Sequence, residues 1–131
     1  MGLSERGAMD KIKALVVDDK RVIGDLFGVT LGYSGHDIKI VQDGEEAVAL
    51  VKKEKFDIVF IDIVMPEPDG VAVLEKIKEV APELPVVMMS GYSVDEKRHR
   101  AMELGAVTCL KKPFEMDEVR QVVKMAIGKE I

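Results

Sequence analysis

The chain contains no asparagine and no tryptophan, and it has a single cysteine, Cys109, among its 131 residues. One cysteine excludes a disulfide within the chain and is typical of proteins that work in a reducing compartment. No apolar run is long enough to cross a membrane, and the first residues lack the apolar segment of a secretory signal peptide. The sequence therefore predicts a cytoplasmic protein that makes no membrane contact.

The formal net charge of −5 excludes a general electrostatic attraction to nucleic acid or to anionic lipid. A hydrophobic content of 47% with 33% charged residues is typical of a folded globular protein. A chain of this length can bury a stable hydrophobic core without disulfides or bound metals. Residues 1–11 have no periodicity and are expected to be a flexible leader or a cloning remnant, with the domain at residues 12–128.

Short apolar runs alternate with stretches of helical periodicity along the whole domain. Strands are expected at 13–17, 38–41, 58–61, 86–89 and 107–110, and helices at 21–31, 44–53, 70–80, 94–104 and 116–127. Apolar strands separated by helices form a parallel sheet with helices on both faces, joined by right-handed crossovers. The sequence thus predicts an α/β fold of five βα units.

The stretch from Ile58 to Gly70 organises the chain, because four apolar residues run straight into Asp62 and a turn rich in Pro, Asp and Gly follows. A short apolar run bounded by turn residues indicates a strand buried on both faces. Asp62 then lies at the carboxyl end of a central strand, where open α/β sheets bind ligands. A carboxylate there requires a cationic partner.

Four predicted strands end in chemically distinctive side chains: Asp18 and Asp19, Asp62, Ser90, and Lys112. Because parallel strands point their carboxyl ends the same way, these groups are expected to converge on one edge. Three neighbouring carboxylates repel one another, and Mg²⁺ would compensate them with oxygen ligation. The set predicts phosphoryl transfer to Asp62 as the nucleophile, with Lys112 and Ser90 binding phosphoryl oxygens.

The order of these residues resembles the receiver domain of bacterial response regulators over about residues 12–127. Four motifs carry the resemblance: Asp18-Asp19, Asp62-x-x-Met65-Pro66-x-x-Asp69-Gly70, Ser90-Gly91-Tyr92 and Lys112-Pro113-Phe114. The resemblance implies a flavodoxin-like sheet with strand order 2-1-3-4-5. It also implies that Asp62 is the phosphoacceptor, served by a histidine kinase or a histidine phosphotransfer protein.

The same resemblance implies a ligand set for Mg²⁺. Asp19 and Asp62 are expected to bind the ion directly, together with the backbone carbonyl of Val64, while Asp18 acts through water. Val64 and Tyr92 also occupy positions that tune hydrolysis of the phosphoryl group in the family. Neither side chain positions water well, which predicts slow loss of phosphate.

Ser90 is similar to the hydroxyl that moves on phosphorylation, and Lys112 to the phosphate-binding lysine, whose bond to Pro113 is expected to be cis. The switch is expected to alter the surface of the fourth helix, fifth strand and fifth helix, which then binds a partner or forms a homodimer. Cys109 departs from the family, because many receivers have an aromatic residue three positions before the lysine. How the switch reaches that surface is therefore left open by the sequence.

Two other functions compete with a phosphorylation-controlled switch that performs no catalytic turnover. A haloacid-dehalogenase-like phosphatase also uses an Asp nucleophile, but it needs a second acid where this chain has Val64. A phosphorylation-independent interaction module is supported only by Cys109. No DNA-binding or catalytic segment follows Ile127, so we expect no direct nucleic-acid binding and an output through another protein or a longer regulator.

Several residues have simpler interpretations than a functional one. Cys109 is expected to be a small buried hydrophobe in preference to a redox sensor, and Asp18 could merely cap the first helix. His36 and His99 are expected to be exposed surface residues. The run from Lys97 to Arg100 is expected to be a hydrated helix face.

Overall fold

The computed structural model describes residues 10–91 and 94–131. Its elements are β1 (Lys13–Val17), α1 (Arg21–Phe27, continued by a π-helical turn at Gly28–Gly32), β2 (Asp37–Val41), α2 (Gly44–Lys53), β3 (Ile58–Asp62), α3 (Gly70–Val80), β4 (Val86–Ser90), α4 (Asp95–Glu103), β5 (Cys109–Lys111) and α5 (Met116–Ile127). Residues 1–9 of the predicted leader, and Tyr92, lie outside the described residues.

All strand pairs of the sheet are parallel, and the spatial order is β2-β1-β3-β4-β5. This confirms the predicted fold and strand order. β3 lies in the centre, with Ile61 opposite Val17 of β1 and Asp62 opposite Met89 of β4. The register places the last residue of β3 in the middle of the carboxyl edge.

The central strand divides the hydrophobic core into two layers, because its side chains alternate between the faces of the sheet. Val59 and Ile61 pack with the layer formed by α2, α3 and α4, and Ile58 and Phe60 with the layer of α1 and α5. Phe60 contacts the Phe27 ring at a centroid distance of 4.9 Å. Burial on both faces explains why β3 is apolar without interruption up to Asp62.

Side chains that accept hydrogen bonds from the first helical turn fix the starts of two helices. Asp43 accepts from the N–H of Glu45 at the start of α2, and Asp69 accepts from the N–H of Ala72 at the start of α3. Such caps satisfy donors that have no partner within the helix. Both caps are readable in the sequence, which explains why the predicted start of α3 is correct.

The structure differs from the sequence-based prediction at the fifth strand, and it shows contacts on either side of the predicted domain limits. β5 begins at Cys109, two residues later than predicted, although Val107 already donates to the carbonyl of Val86. Asp10 and Glu130 form two hydrogen bonds with each other, and the buried Ile131 packs in the core layer of α1 and α5. Ordered contacts therefore extend beyond residues 12–128.

The prediction that His36 is an exposed surface residue is wrong. Only 6% of His36 is exposed, and its Nδ1 accepts a hydrogen bond of 3.2 Å from the N–H of Ile12. The imidazole satisfies a buried donor beside β1, a long-range contact that no local pattern indicates. Burial lowers the pKa of His36, and the positive charges of Lys11 and Arg120 lower it further.

We predict that His36 makes the domain less stable as the pH falls below 6.5, the ordinary value for histidine. Below that pH, His36 binds a proton more readily in the unfolded chain than in the folded chain. The free energy of unfolding therefore decreases as the pH falls. His36→Asn keeps an acceptor for Ile12 but cannot titrate, and it should flatten this slope in urea titrations at several pH values. His99→Asn, at an exposed position, should keep the wild-type slope; equal slopes in all three proteins would contradict the prediction.

Gly70 begins α3 directly against the backbone of β3, and we predict that it tolerates no side chain. A Cβ there would overlap the carbonyl oxygen of Asp62 and lie 2.7 Å from the Cα of Ile63. Gly70→Ala should therefore lower the free energy of unfolding by about 3 kcal/mol, measured by urea denaturation. Gly32→Ala, which meets no atom within 4 Å, is the control and should cost less than about 1 kcal/mol; similar losses in both would contradict the prediction.

Candidate functional site

Asp62 lies at the floor of the site, with only 2% of the residue exposed. Its Oδ1 accepts a hydrogen bond of 3.1 Å from the N–H of Val64, and its Oδ2 lies 3.1 Å from Nζ of Lys112. The turn after β3 and the residue that follows β5 thus hold the carboxylate from two sides. This arrangement fixes its orientation at the centre of the carboxyl edge.

Asp18 follows β1 and is completely buried. Its Oδ2 lies 2.8 Å from Nζ of Lys112, and its Oδ1 accepts a hydrogen bond of 2.9 Å from the N–H of Lys20. α1 has no side-chain cap at its N-terminus. Asp18 therefore does more than contact the start of this helix, because its Oδ2 also contacts Lys112 in the site.

Asp19 is partly exposed, but its Oδ1 is buried and has no hydrogen-bond partner in the described part of the chain. The nearest cation is Nζ of Lys20, at 3.7 Å, which is too long for a hydrogen bond. Oxygen atoms of Asp18, Asp19 and Asp62 all lie within 4.8 Å of one another. Three clustered carboxylates, one with an unsatisfied buried oxygen, fit a hard divalent cation that prefers oxygen ligands.

Lys112 is the cation that compensates the two most buried acids. Burial alone would lower the pKa of Lys112, but hydrogen bonds to Asp18 and Asp62 more than reverse this effect and raise it. Burial raises the pKa of Asp62, although Lys112 and the N–H of Val64 oppose the change. The ammonium group of Lys112 therefore stays charged, while burial opposes the ionised form of Asp62.

Ser90 ends β4 beside this cluster, and only 5% of the residue is exposed. Its carbonyl accepts a hydrogen bond of 2.8 Å from the N–H of Lys112, which ties the ends of β4 and β5 together. The peptide bond between Lys112 and Pro113 is cis, as predicted. The sheet thus brings the predicted serine and lysine to the same edge as the acids.

Cys109 lies at the start of β5 opposite Met88, half-buried against the core layer of α2, α3 and α4. Burial raises the pKa of its thiol; the charge of Asp62 raises it further, and Arg98 opposes both. A thiol with a raised pKa is a poor nucleophile. This favours the interpretation of Cys109 as a small apolar residue over that of a redox sensor.

One contact of the site region had no signal in the sequence. Nζ of Lys97 lies 2.8 Å from Oδ2 of Asp69, which joins α4 to the loop after β3. The same pair lowers the pKa of Asp69 against the opposing effect of burial. The exposed run that includes Lys97 is confirmed as a hydrated face, but one of its members also anchors the helix.

We predict that Lys112→Met destabilises the domain by about 3 kcal/mol at neutral pH without Mg²⁺, because two buried carboxylates lose their cation. Added Mg²⁺ should restore more stability to this variant than to the wild type, since the ion can replace the missing positive charge. Lys111→Met, the exposed neighbour, is the control and should change little. Urea denaturation with Mg²⁺ or with EDTA measures both effects. Equal losses in the two variants would contradict this account.

Comparison with known proteins agrees with the geometry of the site. A family model described as the response regulator receiver domain matches residues 14–124. The transcriptional regulatory protein ZraR of Escherichia coli is 33% identical over 119 residues, covering 91% of this chain and 27% of the relative. The response regulator MprA of Mycolicibacterium vanbaalenii is 30% identical over 108 residues, covering 82% and 47%. The chain therefore spans less than half the length of these relatives.

Solved structures show the same fold. The receiver domain of NtrX from Brucella abortus superposes with a TM-score of 0.82 at 36% identity, covering 88% of this chain and 98% of that one. The chemotaxis protein CheY4 of Vibrio cholerae gives a TM-score of 0.82 at 26% identity, covering 90% and 100%. No helix in the described residues is long and apolar enough to span a membrane. From its sequence match, fold and site, the chain belongs to the response regulator receiver domain family.

Proposed function

We propose that Asp62 accepts a phosphoryl group from a phosphorylated histidine of a kinase or phosphotransfer protein. An oxygen of the Asp62 carboxylate attacks phosphorus, the bond between phosphorus and the histidine nitrogen breaks, and the imidazole leaves. The observation that carries the proposal is the position of Asp62, a buried carboxylate at the centre of the edge, 3.1 Å from an ammonium group. The raised pKa of Asp62 is consistent with a basic, reactive oxygen.

The acids of the site would hold Mg²⁺. Asp19, Asp62 and the backbone carbonyl of Val64 are the proposed direct ligands, and Asp18 the proposed ligand through water. Held by these residues, the ion would supply positive charge that offsets the negative charge developing on the phosphoryl group during transfer. The unsatisfied buried oxygen of Asp19 supports this assignment, because a buried acceptor without a partner is otherwise costly.

Lys112 and Ser90 would bind two oxygens of the phosphoryl group once it is attached. Phosphate on Asp62 replaces one negative charge with about two, so the ammonium of Lys112 gains a stronger partner than the carboxylate it contacts at rest. Ser90 carries the hydroxyl of the neighbouring strand β4, and it would bind the same group by moving toward β3. The new contacts would bias the equilibrium between two arrangements of α4 and β5.

The output would pass through the surface formed by α4, β5 and α5. α4 has only one buried residue, Ala101, so little packing opposes its displacement. The altered surface would bind another protein, a further part of a longer regulator, or a second copy of the chain.

The module assists its own phosphorylation and dephosphorylation but performs no turnover of small phosphate esters, because Val64 stands where a phosphatase would need an acid. Because the Val64 side chain does not position water, the phosphoryl group is expected to leave slowly.

We predict that acetyl phosphate with Mg²⁺ adds one phosphoryl group to the wild-type chain, detected by intact-mass spectrometry. Asp62→Asn should abolish the added mass, because the side-chain amide of Asn is not a nucleophile for phosphoryl transfer. Asp43→Asn is the matched control, since this exposed residue follows β2 of the same sheet and the amide oxygen can still cap α2. EDTA should prevent labelling of the wild type.

Labelling of Asp62→Asn to the level of the wild type would contradict the assignment of the phosphoacceptor. Labelling that persists in EDTA would contradict the role of the metal. Repeated release of phosphate from a small phosphomonoester, beyond one equivalent per chain, would instead favour the phosphatase alternative.

A further inference from the structure

An open cavity of about 440 Å³ lies between α4 and β5, next to the proposed phosphorylation site. Its described lining is Ser90, Gly91, Val94, Asp95, Arg98, Cys109 and Lys111. Cys109 and Val94 supply a small apolar wall, and both pack against the core layer beneath. The volume is many times that of a water molecule, about 30 Å³, so it can admit a large side chain.

The rim of this cavity is basic although the whole chain is acidic. Arg98 projects from α4 and Lys111 from the edge strand β5, and both are exposed. Neither forms a salt bridge with another residue in the described ranges. Asp95 is the one acid among the described lining residues, so the cationic groups outnumber it. Unpaired charges of one sign favour a ligand of the opposite sign.

We infer that this cavity binds a protein segment in which acidic residues flank an aromatic side chain. The aromatic ring fills the space beside the small thiol of Cys109, where it can stack on the planar guanidinium of Arg98. Carboxylates on either side of the ring pair with Arg98 and Lys111 at the rim. Aromatic side chains that enter a preformed pocket supply most of the affinity in many interfaces, and the charges supply selectivity.

The inference rests on the proposed function, because Ser90 forms one wall of the cavity. A phosphoryl group on Asp62 that draws the hydroxyl of Ser90 toward β3 changes this wall. Coupling of this kind changes affinity by about tenfold, and it is reciprocal between the two sites. The segment should therefore bind about tenfold more tightly when Mg²⁺ and beryllofluoride, which imitates the phosphoryl group, are bound.

The test uses a display library of random peptides, from which peptides are selected for binding to the full chain in the presence of Mg²⁺ and beryllofluoride. We expect the enriched peptides to share an aromatic residue flanked by acids. A synthetic peptide of that sequence should slow alkylation of Cys109 by iodoacetamide, read by intact mass. Because the chain has no other cysteine, alkylation reports on this cavity alone. The same peptide with Ala in place of the aromatic residue is the control and should not protect the thiol.

Two variants locate the binding. Arg98→Glu combined with Lys111→Glu changes only exposed side chains, and Cys109→Phe fills the cavity from within. Each should weaken binding of the labelled peptide at least tenfold in fluorescence anisotropy, while both still accept phosphate from acetyl phosphate. If Cys109→Phe does not fold, the charge-reversed protein still tests whether the peptide binds at this cavity.

Enriched peptides that are basic or lack an aromatic residue would overturn the inference, as would unchanged binding to the charge-reversed protein. Binding that only reflects self-association, seen by size-exclusion chromatography, would also overturn it. Phosphorylation of the same preparation is measured separately. A chain that accepts phosphate on Asp62 but selects no such peptide refutes this inference alone, whereas a chain that accepts none refutes the proposed function.

Discussion

The structure depends on one electrostatic constraint, which is the compensation of carboxylates buried at the end of an apolar sheet. Asp18 and Asp62 are almost without solvent, and an isolated charge in such surroundings is strongly unfavourable. Lys112 satisfies both with distances of 2.8 and 3.1 Å. Asp19 keeps an oxygen for which the described chain supplies no hydrogen-bond donor. One ammonium group thus compensates only part of the negative charge of the three clustered carboxylates, and the remaining charge favours a bound cation.

This constraint explains features of the fold that lie away from the site. The three strands that carry the acids and the lysine must be parallel, because only then do their ends meet at one edge. β3 must be apolar on both faces to occupy the centre. α3 must begin at a glycine, since its first residue touches the backbone of Asp62 and Ile63.

The fold could be predicted from the sequence because its signals are local. Apolar runs and caps such as Asp69 act within a few residues of the element that they define. The convergence of the acids, serine and lysine also followed from topology alone. The burial of His36 and the pairing of Lys97 with Asp69 could not be predicted, because each depends on a contact between residues more than twenty positions apart. Long-range pairing leaves no periodic pattern in the sequence.

The sparse packing of α4 has an evolutionary consequence. Ala101 is its one buried residue, and the other residues of α4 are exposed. Most substitutions on α4 would therefore leave the core intact and cost little stability. A lineage could change the proposed output surface on this helix without rebuilding the acidic site at the carboxyl edge of the sheet. Duplicated copies of such a domain could diverge into insulated signalling routes through changes in a single helix.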